Sequence, residues 1–221
     1  MNIKNSINNL RHRIPADCQL IAVSKTNPIE KIKEAYDAGQ RVFGENRVQE
    51  LIPKFEALPK DIEWHMIGHM QTNKVKYIAP FIHLIHSVDS YNVLEEINKQ
   101  AAKAGRKISC LLQIHIAEEE SKFGFSEEEV LKLISSESLK SLKHIVVAGL
   151  MGMATFTNDT SQVRKEFKRL KSFFEKLKST ELPSNVAMKE LSMGMSGDYQ
   201  IAIEEGSTMV RVGSAIFGER H

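Results

Sequence analysis

Eight short apolar runs alternate along this chain with longer segments in which apolar residues recur every three or four positions. Short apolar runs indicate buried strands, and the longer spacing indicates amphipathic helices. A helical segment between each consecutive pair of strands lets every crossover be right-handed and every strand pair be parallel. The predicted strands cover residues 20–23, 41–44, 63–68, 81–88, 108–116, 145–153, 188–191 and 209–212.

This alternation favours a closed (β/α)8 barrel, that is, a TIM barrel of the α/β class, over an open Rossmann-like sheet, which is the alternative. An additional amphipathic helix is predicted before the first strand, from the spacing of Ile3, Ile7, Leu10 and Ile14. With 221 residues, 42% of them hydrophobic, the chain can bury a sizeable core. Because no linker, repeat or low-complexity segment interrupts the pattern, we expect one domain over residues 1–221.

Charge and cysteine content narrow the classes of partner. The 30 basic and 28 acidic side chains leave a formal net charge of +2, too small to favour nucleic acid or an anionic membrane. Cys18 and Cys110 lack the spacing of a zinc finger, so we expect them to be reduced thiols. The N-terminus has no apolar signal core, and no run reaches about 18 apolar residues. We therefore expect a cytoplasmic protein with no nucleic-acid or membrane partner and, without a heptad seam, a monomer.

Lys25 closely follows the first predicted strand. In parallel α/β folds the carboxyl ends of the strands face the ligand, so a lysine at this position faces a pocket more often than open solvent. An amine held against apolar walls loses the hydration of its charged form and becomes a nucleophile toward a carbonyl carbon. A solvated loop lysine is the alternative interpretation.

Two clusters of glycine and serine follow the last two predicted strands, at residues 192–197 (Ser-Met-Gly-Met-Ser-Gly) and 212–214 (Val-Gly-Ser). Barrels of this kind often bind phosphate groups between these two loops. Glycine lets backbone N–H groups approach an anion, and serine hydroxyls donate to its oxygens. Together the clusters predict a phosphate site; the alternative is a pair of tight strand-to-helix turns.

Two further polar residues occupy positions that point to a ligand contact. Arg211 is flanked by valines in the last predicted strand, so its side chain is buried if it points into the barrel and then needs a partner. Asn46 follows the second predicted strand, where it is either a helix cap or a ligand contact. The alternative for Arg211 is a solvent-facing or salt-bridged structural arginine.

The histidines lack the spacing of a metal site. His65 and His69 are separated by Gly68 at a strand end, and no glutamate accompanies them as in a zinc protease motif. His83 and His86 lie three apart in the fourth predicted strand, which sends their side chains to opposite faces. The sequence also has no nucleophile elbow, P-loop or GxGxxG fingerprint. We therefore predict no metal ligands.

Six blocks of sequence, in order along nearly the whole chain, resemble the signature blocks of the pyridoxal phosphate homeostasis protein family, a single-domain relative of the alanine racemase barrel. They are AVSK at 22–25, FGENRVQE at 43–50, WHMIG at 64–68 with QTNK at 71–74, GLM at 149–151, LSMGMS at 191–196 and VRVGSAIFG at 210–218. The sequence departs from the family at His115, where asparagine is commoner, and at Gly152-Met153, where Thr-Ile is commoner. The resemblance implies a TIM barrel of pyridoxal phosphate fold type III.

The resemblance also implies a role for each candidate residue. Lys25 forms a Schiff base with the aldehyde of pyridoxal phosphate, and Arg211 faces its pyridine nitrogen. The other residues implied in the cofactor site are Asn46 beside the ring, Ser192, Gly213 and Ser214 at the phosphate and, with less defined roles, Met193 and Ser196.

An arginine at the pyridine nitrogen keeps the ring unprotonated and weakens it as an electron sink, which disfavours carbanion chemistry. The larger racemases, as the resemblance implies, add a β-domain that delivers a tyrosine as second acid-base group, and we expect this chain to lack it. We therefore expect a non-enzymatic carrier of pyridoxal phosphate that takes part in vitamin B6 homeostasis, affects amino-acid metabolism indirectly and has apo-enzymes as recipients. The alternatives are an amino-acid racemase using Lys25, alone or with Tyr199 or His65, and a phosphosugar-binding barrel enzyme.

Overall fold

The barrel predicted from the alternation is confirmed: eight parallel strands close into a ring in chain order, with β1 hydrogen-bonded to β8. The computed structural model describes residues 2–118 and 123–218. Within those ranges the strands are β1 (Gln19–Val23), β2 (Val42–Glu45), β3 (Glu63–Met66), β4 (Leu84–Val88), β5 (Ile108–Ile114), β6 (Ile145–Gly152), β7 (Val186–Met195) and β8 (Met209–Val212). The open Rossmann-like alternative is wrong, because an open sheet has two unpaired edges.

Helices cover the outside of the barrel, and a helix precedes β1 as predicted. α1 (Ile3–Arg13) buries Ile3, Ile7 and Leu10, and the Asn2 side chain caps it by accepting a hydrogen bond from the N–H of Asn5 at 3.0 Å. The other helices are α2 (Ile29–Asp37), α3 (Val48–Ala57), α4 (Thr72–Ile78), α5 (Tyr91–Lys103), α6 (Glu127–Ser135), α7 (Glu137–Lys140), α8 (Thr160–Lys178), α9 (Tyr199–Glu204) and α10 (Ser214–Phe217). Within the described ranges, none of the helices has the length and apolar character of a transmembrane span.

The strands are buried on both faces, and alternate residues along them belong to two separate hydrophobic cores, one outside and one inside the barrel. Outward-facing side chains such as Phe43, Trp64 and Met66 pack beneath the helices in the main hydrophobic core. Inward-facing side chains form a smaller apolar layer inside the barrel, which consists of Ile21, Val42, Leu84, Leu111, Met151 and Met209. The interior is therefore filled by side chains, as in other barrels of eight strands.

Two of the predicted strand boundaries are wrong by several residues. β4 begins at Leu84 instead of residue 81, because Phe81 belongs to the turn after α4, where its N–H donates to the carbonyl of Ile78 at 3.0 Å. β7 runs on to Met195 instead of ending at residue 191. Gly194 lies within this strand at φ +92°, where an added Cβ would be 2.5 Å from the Cβ of Ala202 in α9. The glycine therefore marks close packing of β7 against α9 and not a loop.

The two cysteine thiols are expected to be inert in the folded protein. Burial raises the pKa of Cys18 to about 11 and that of Cys110 to about 12, so neither is a thiolate near neutral pH. At pH 8, titration with Ellman's reagent should find no reactive thiol in the native protein and two after unfolding in guanidinium. Rapid modification of one thiol in the native protein would contradict the burial of that cysteine.

Candidate functional site

A cavity of about 770 Å³ opens at the carboxyl-terminal ends of the barrel strands. Its walls come from the segments that follow β1, β2, β3, β6, β7 and β8, and its size suits a small-molecule ligand. Six of the eight predicted site residues line it, namely Lys25, Asn46, Ser196, Arg211, Gly213 and Ser214. The structure thus brings together residues that lie far apart in the sequence.

The end of β1 next to Lys25 is fixed by a buried ion pair. The hydroxyl of Ser24 donates to Oε1 of Glu45 at 2.6 Å, and Nζ of Lys54 donates to the same oxygen at 2.6 Å and to the carbonyl of Ser24 at 2.9 Å. Burial raises the pKa of the Glu45 carboxyl, and the Lys54 ammonium partly opposes that shift. Sequence reasoning missed this pair, although Lys54 lies three residues after Leu51 on the apolar face of α3.

A strained turn follows Lys25. Thr26 has φ +63°, in the left-handed region, which costs a β-branched residue on the order of 1–3 kcal/mol. Side-chain hydrogen bonds hold the turn: Thr26 N–H donates to Oε2 of Glu50 at 2.8 Å, and the Lys25 carbonyl accepts from Oγ1 of Thr26 at 2.6 Å and from Nδ2 of Asn27 at 3.2 Å. The chain therefore leaves the strand abruptly at the lysine, which stands in the cavity wall.

The loops after β7 and β8 are joined to each other at the cavity mouth, beside the end of β1. The N–H of Gly213 donates to Oγ of Ser196 at 3.1 Å. A Cβ at Gly213 would lie 3.2 Å from the carbonyl oxygen of Val23, so only glycine lets this loop lie against β1 without a shift. A serine hydroxyl that accepts one hydrogen bond still has its own O–H to donate. Ser196, Gly213 and the exposed Ser214 thus form a compact polar rim.

Arg211 lies at the inner wall of the cavity and is 4% exposed. Its Nη1 donates to Oγ of Ser192 at 2.6 Å, and its Nη2 donates to the carbonyl of Gly152 at 3.2 Å. Burial lowers the pKa of the guanidinium to about 10, and Asp198 opposes the shift. The side chain is therefore still cationic at neutral pH, as predicted for a buried arginine that needs partners.

Behind Arg211, a chain of hydrogen bonds crosses the barrel interior. Oγ of Ser192 lies 2.9 Å from Nδ1 of His86, and Nε2 of His86 lies 2.9 Å from Nδ1 of His65. Burial lowers the pKa of His65 to about 3 and that of His86 well below its usual value, so both rings are neutral. The chain connects β8, β7, β4 and β3, which local sequence patterns do not indicate as a unit. The sequence clue to an inward-facing His86 was its two-residue spacing from Leu84, which faces the barrel interior.

Ser192 and Met193 are not among the residues that line the cavity. Ser192 is fully buried between Arg211 and His86, and Met193 is fully buried in the main hydrophobic core. Both lie within β7, whose continuation to Met195 turns successive side chains inward and outward. The structure therefore places Ser192 behind Arg211 and not at the cavity surface.

The positions at which the sequence departs from the family that it resembles have separate structural settings. The N–H of His115 donates to the carbonyl of Phe125 at 3.0 Å, beyond the end of β5. Met153 lines the cavity. A Cβ at Gly152 would lie 2.6 Å from Cδ2 of Leu170 and 2.8 Å from Cδ1 of Ile116, so these two side chains occupy the space that a larger residue needs.

The prediction that His83 lies in the fourth strand is wrong, because His83 precedes β4. His83 is exposed and its ring stacks on that of His65 with 5.4 Å between ring centroids, whereas His86 is fully buried. His69 is instead hydrogen-bonded to Asp89, with 3.0 Å between Nδ1 of His69 and Oδ2 of Asp89. The two histidine pairs considered in the sequence are therefore not the pairs that the fold brings together.

The family model of the alanine racemase N-terminal domain matches residues 1–221. Pyridoxal phosphate homeostasis proteins are among the similar proteins: that of Aquifex aeolicus (strain VF5) is 43% identical over 203 residues, 91% of this chain and 87% of that protein. That of Haemophilus influenzae is 38% identical over 234 aligned positions, 100% of this chain and 97% of that protein. The chain therefore belongs to the alanine racemase N-terminal domain family and, within it, to the pyridoxal phosphate homeostasis proteins.

Solved structures agree with this assignment. PipY of Synechococcus elongatus PCC7942, solved with pyridoxal phosphate bound, superposes with a TM-score of 0.88 at 36% identity, covering 98% of this chain and 100% of that one. The alanine racemase of Bartonella henselae gives a TM-score of 0.72 at 18% identity, covering 99% of this chain and 58% of that enzyme. The likeness to the racemase concerns the fold alone.

The buried ion pair at the end of β1 can be tested by replacing Lys54 with methionine. The Lys54→Met variant leaves the Glu45 carboxylate buried with only the Ser24 hydroxyl as a partner, and such a loss costs about 3–5 kcal/mol of the free energy of unfolding. Urea denaturation measures this loss. The matched control is Lys33→Met, which removes an exposed ion pair with Asp37 and should change stability little. Equal effects of the two substitutions would contradict the proposed importance of the buried pair.

The pH dependence of Lys54→Met gives a second check. Because the pKa of Glu45 is raised above its ordinary value of 4.5 and Lys54 opposes that shift, removing Lys54 raises it further. The folded variant then retains a proton that the unfolded chain has released, so its stability falls as pH rises above about 4.5 toward the folded pKa. Relative to the wild-type protein, the variant should therefore be less destabilised at pH 5 than at pH 7. A constant difference would show that Glu45 does not titrate in this range.

Proposed function

We propose that this protein binds pyridoxal 5'-phosphate through Lys25, as a Schiff base, and takes part in cellular pyridoxal phosphate homeostasis as a carrier of the cofactor. The observation that carries the proposal is the convergence of a lysine, a serine-glycine rim and a buried arginine on one cavity. The pyridoxal phosphate bound by PipY and the names of the homeostasis proteins similar to this chain support it.

The residues present fit the chemical groups of the cofactor. Lys25 offers an amine for the aldehyde carbon, and the bond forms with loss of one water and is reversible by hydrolysis. Ser196, Gly213 and Ser214 line the cavity together, and the Ser196 hydroxyl, which accepts from the N–H of Gly213, would donate its own O–H to a phosphate oxygen. Asn46 lies in the wall after β2, where its amide would contact the ring.

Arg211 makes the site better suited to holding the cofactor than to using it. Bound pyridoxal phosphate supplies an electron-accepting ring whose strength depends on protonation of its pyridine nitrogen. Arg211 is cationic at neutral pH, carries only donors and would repel a protonated ring nitrogen. It would therefore orient the ring by donating a hydrogen bond while leaving the ring nitrogen without a proton.

The absence of turnover is part of the proposal, and the two candidate second bases bear on it. His65 is buried inside the barrel, and Tyr199 is buried in the main hydrophobic core; neither lines the cavity. The similar proteins are named homeostasis proteins, and the likeness to alanine racemase is one of fold. We propose apo-enzymes that need pyridoxal phosphate as recipients of the cofactor, and a monomer as the working form.

The covalent anchor can be tested with a matched pair of lysines in the same cavity. Lys25 and Lys31 both line it, and Nζ of Lys31 donates to the carbonyl of Phe217 at 3.3 Å. After incubation with pyridoxal phosphate and borohydride reduction, peptide mass analysis should find a pyridoxyl group on Lys25 in the wild-type protein and in Lys31→Ala. In Lys25→Ala the adduct and the visible absorbance of the bound cofactor should disappear. An adduct on Lys31, or none at all, would refute the anchor; a phosphosugar-binding enzyme would give none.

The phosphate rim can be tested by comparing pyridoxal phosphate with pyridoxal. Ser196→Ala removes a hydroxyl that would donate to a charged phosphate, worth about 1.5–3 kcal/mol, or about 10- to 150-fold in Kd. This loss should appear for pyridoxal phosphate and not for pyridoxal. Ser192→Ala, which acts behind Arg211, should instead weaken both ligands by a similar factor. A phosphate-specific loss in Ser192→Ala would show that Ser192 contacts the phosphate.

The carrier and racemase alternatives differ in one assay. Holoprotein incubated with a panel of single-enantiomer amino acids should leave their enantiomeric purity unchanged, because the cavity presents neither of the candidate second bases. Racemisation at an enzyme-like rate that disappears in Lys25→Ala would establish the racemase instead.

A further inference from the structure

Three metal-ligating side chains meet at the amino-terminal end of the barrel, opposite the cavity. Glu63 and His65 are two residues apart on β3 and so share its inward face. His83 precedes β4, and its N–H donates to the carbonyl of Trp64 at 2.9 Å, which places it beside β3. One ligand atom from each of the three lies within 4.8 Å of the other two.

His65 has a nitrogen atom that the protein itself does not satisfy. The residue is 1% exposed, its Nδ1 is bonded to His86, and its Nε2 is buried without a hydrogen-bond partner among the described residues. Buried polar atoms nearly always have a partner, so an exception calls for an explanation. The stacking of His65 on His83 and the 3.7 Å approach of Glu63 to His83 account for the two surface residues, but they leave Nε2 of His65 unexplained.

We propose that Glu63, His65 and His83 bind a divalent transition-metal ion, with water in the remaining coordination position. Two imidazoles and one carboxylate suit zinc and its neighbours in the first transition row better than magnesium or calcium. Three protein ligands and an open position resemble the ligand number of known zinc sites.

The ligand atoms lie within 4.8 Å of one another, so each pair must approach by at most about 1.5 Å to share a metal ion. Bonds of about 2.0–2.2 Å in a tetrahedral site place ligand atoms roughly 3.3–3.6 Å apart. Oε2 of Glu63 and Nε2 of His83 are already 3.7 Å apart, and their side chains are 43% and 54% exposed. These two can turn toward the metal while His65, held by His86, serves as the fixed ligand.

The hydrogen bonds behind His65 provide a consistent proton arrangement for metal binding. Ligation through Nε2 puts the proton of His65 on Nδ1, which donates to Nε2 of His86. His86 then donates from Nδ1 to Oγ of Ser192. This oxygen also accepts from Nη1 of Arg211, and its two lone pairs allow both hydrogen bonds. Every atom along this chain keeps its hydrogen bond when the metal is bound.

The test uses the full chain without an affinity tag, dialysed against chelator to remove metal. Isothermal titration with zinc chloride should give one site per chain. Glu63→Gln and His83→Ala should each weaken zinc binding by at least about tenfold, which is the lower range for perturbing a metal site. The matched controls are His12→Ala and His69→Ala, which remove histidines outside the cluster and should bind zinc like the wild-type protein.

Two outcomes would overturn the proposal: no binding of zinc, cobalt or nickel, or zinc binding that is the same in Glu63→Gln, His83→Ala and the controls. Both substituted side chains are about half exposed, and circular dichroism melts of the metal-free variants confirm that they fold. X-ray absorption of the zinc form should show two imidazole ligands in the wild-type protein and one in His83→Ala. Lys25→Ala should bind zinc normally, so failure of the cofactor proposal would leave this one standing.

Discussion

The parallel pairing of β1 with β8 is the interaction on which the site depends. It aligns Ile21 with Arg211 and Ala22 with Val212, and so joins segments from near the two ends of the chain. Lys25 lies just beyond the end of β1, and Gly213 follows β8 directly. Closing the barrel therefore puts a nucleophilic amine, a buried cation and a glycine loop into one wall. In an open sheet with the same strands, these groups would be at opposite edges.

Within that wall, Arg211 is the residue hardest to explain by stability alone. A buried guanidinium whose hydrogen bonds go to a hydroxyl and a backbone carbonyl gains less than one paired with a carboxylate, and its desolvation is costly. The neutral chain through His86 and His65 orients the Ser192 hydroxyl without adding a negative charge. The arrangement keeps a positive charge available to a ligand, which accords with a protein that binds an anionic cofactor.

The fold could be predicted from the sequence because eight strands alternate with helices, and β8 was placed to the residue. The end of β7 could not be predicted in the same way. The barrel strands are buried on both faces, so the sequence lacks the change from apolar to polar residues that marks a strand end. The same lack of contrast hid which face of β7 carries Ser192. The pairing of Glu45 with Lys54 and the contact of His65 with His83 depend on register between neighbouring strands and helices, which local periodicity does not encode.

The apolar layer inside the barrel also shapes the electrostatics of the cavity. Ile21 and Met209 are two of its six members. Arg211 is paired with Ile21 in the sheet and follows Met209 by two residues along β8. This layer is a low-dielectric medium that excludes counterions, so the charge of Arg211 is screened by solvent mainly through the cavity mouth. The field is therefore focused outward along a single direction. A chain with a formal net charge of only +2 can in this way attract an anion to one place on its surface.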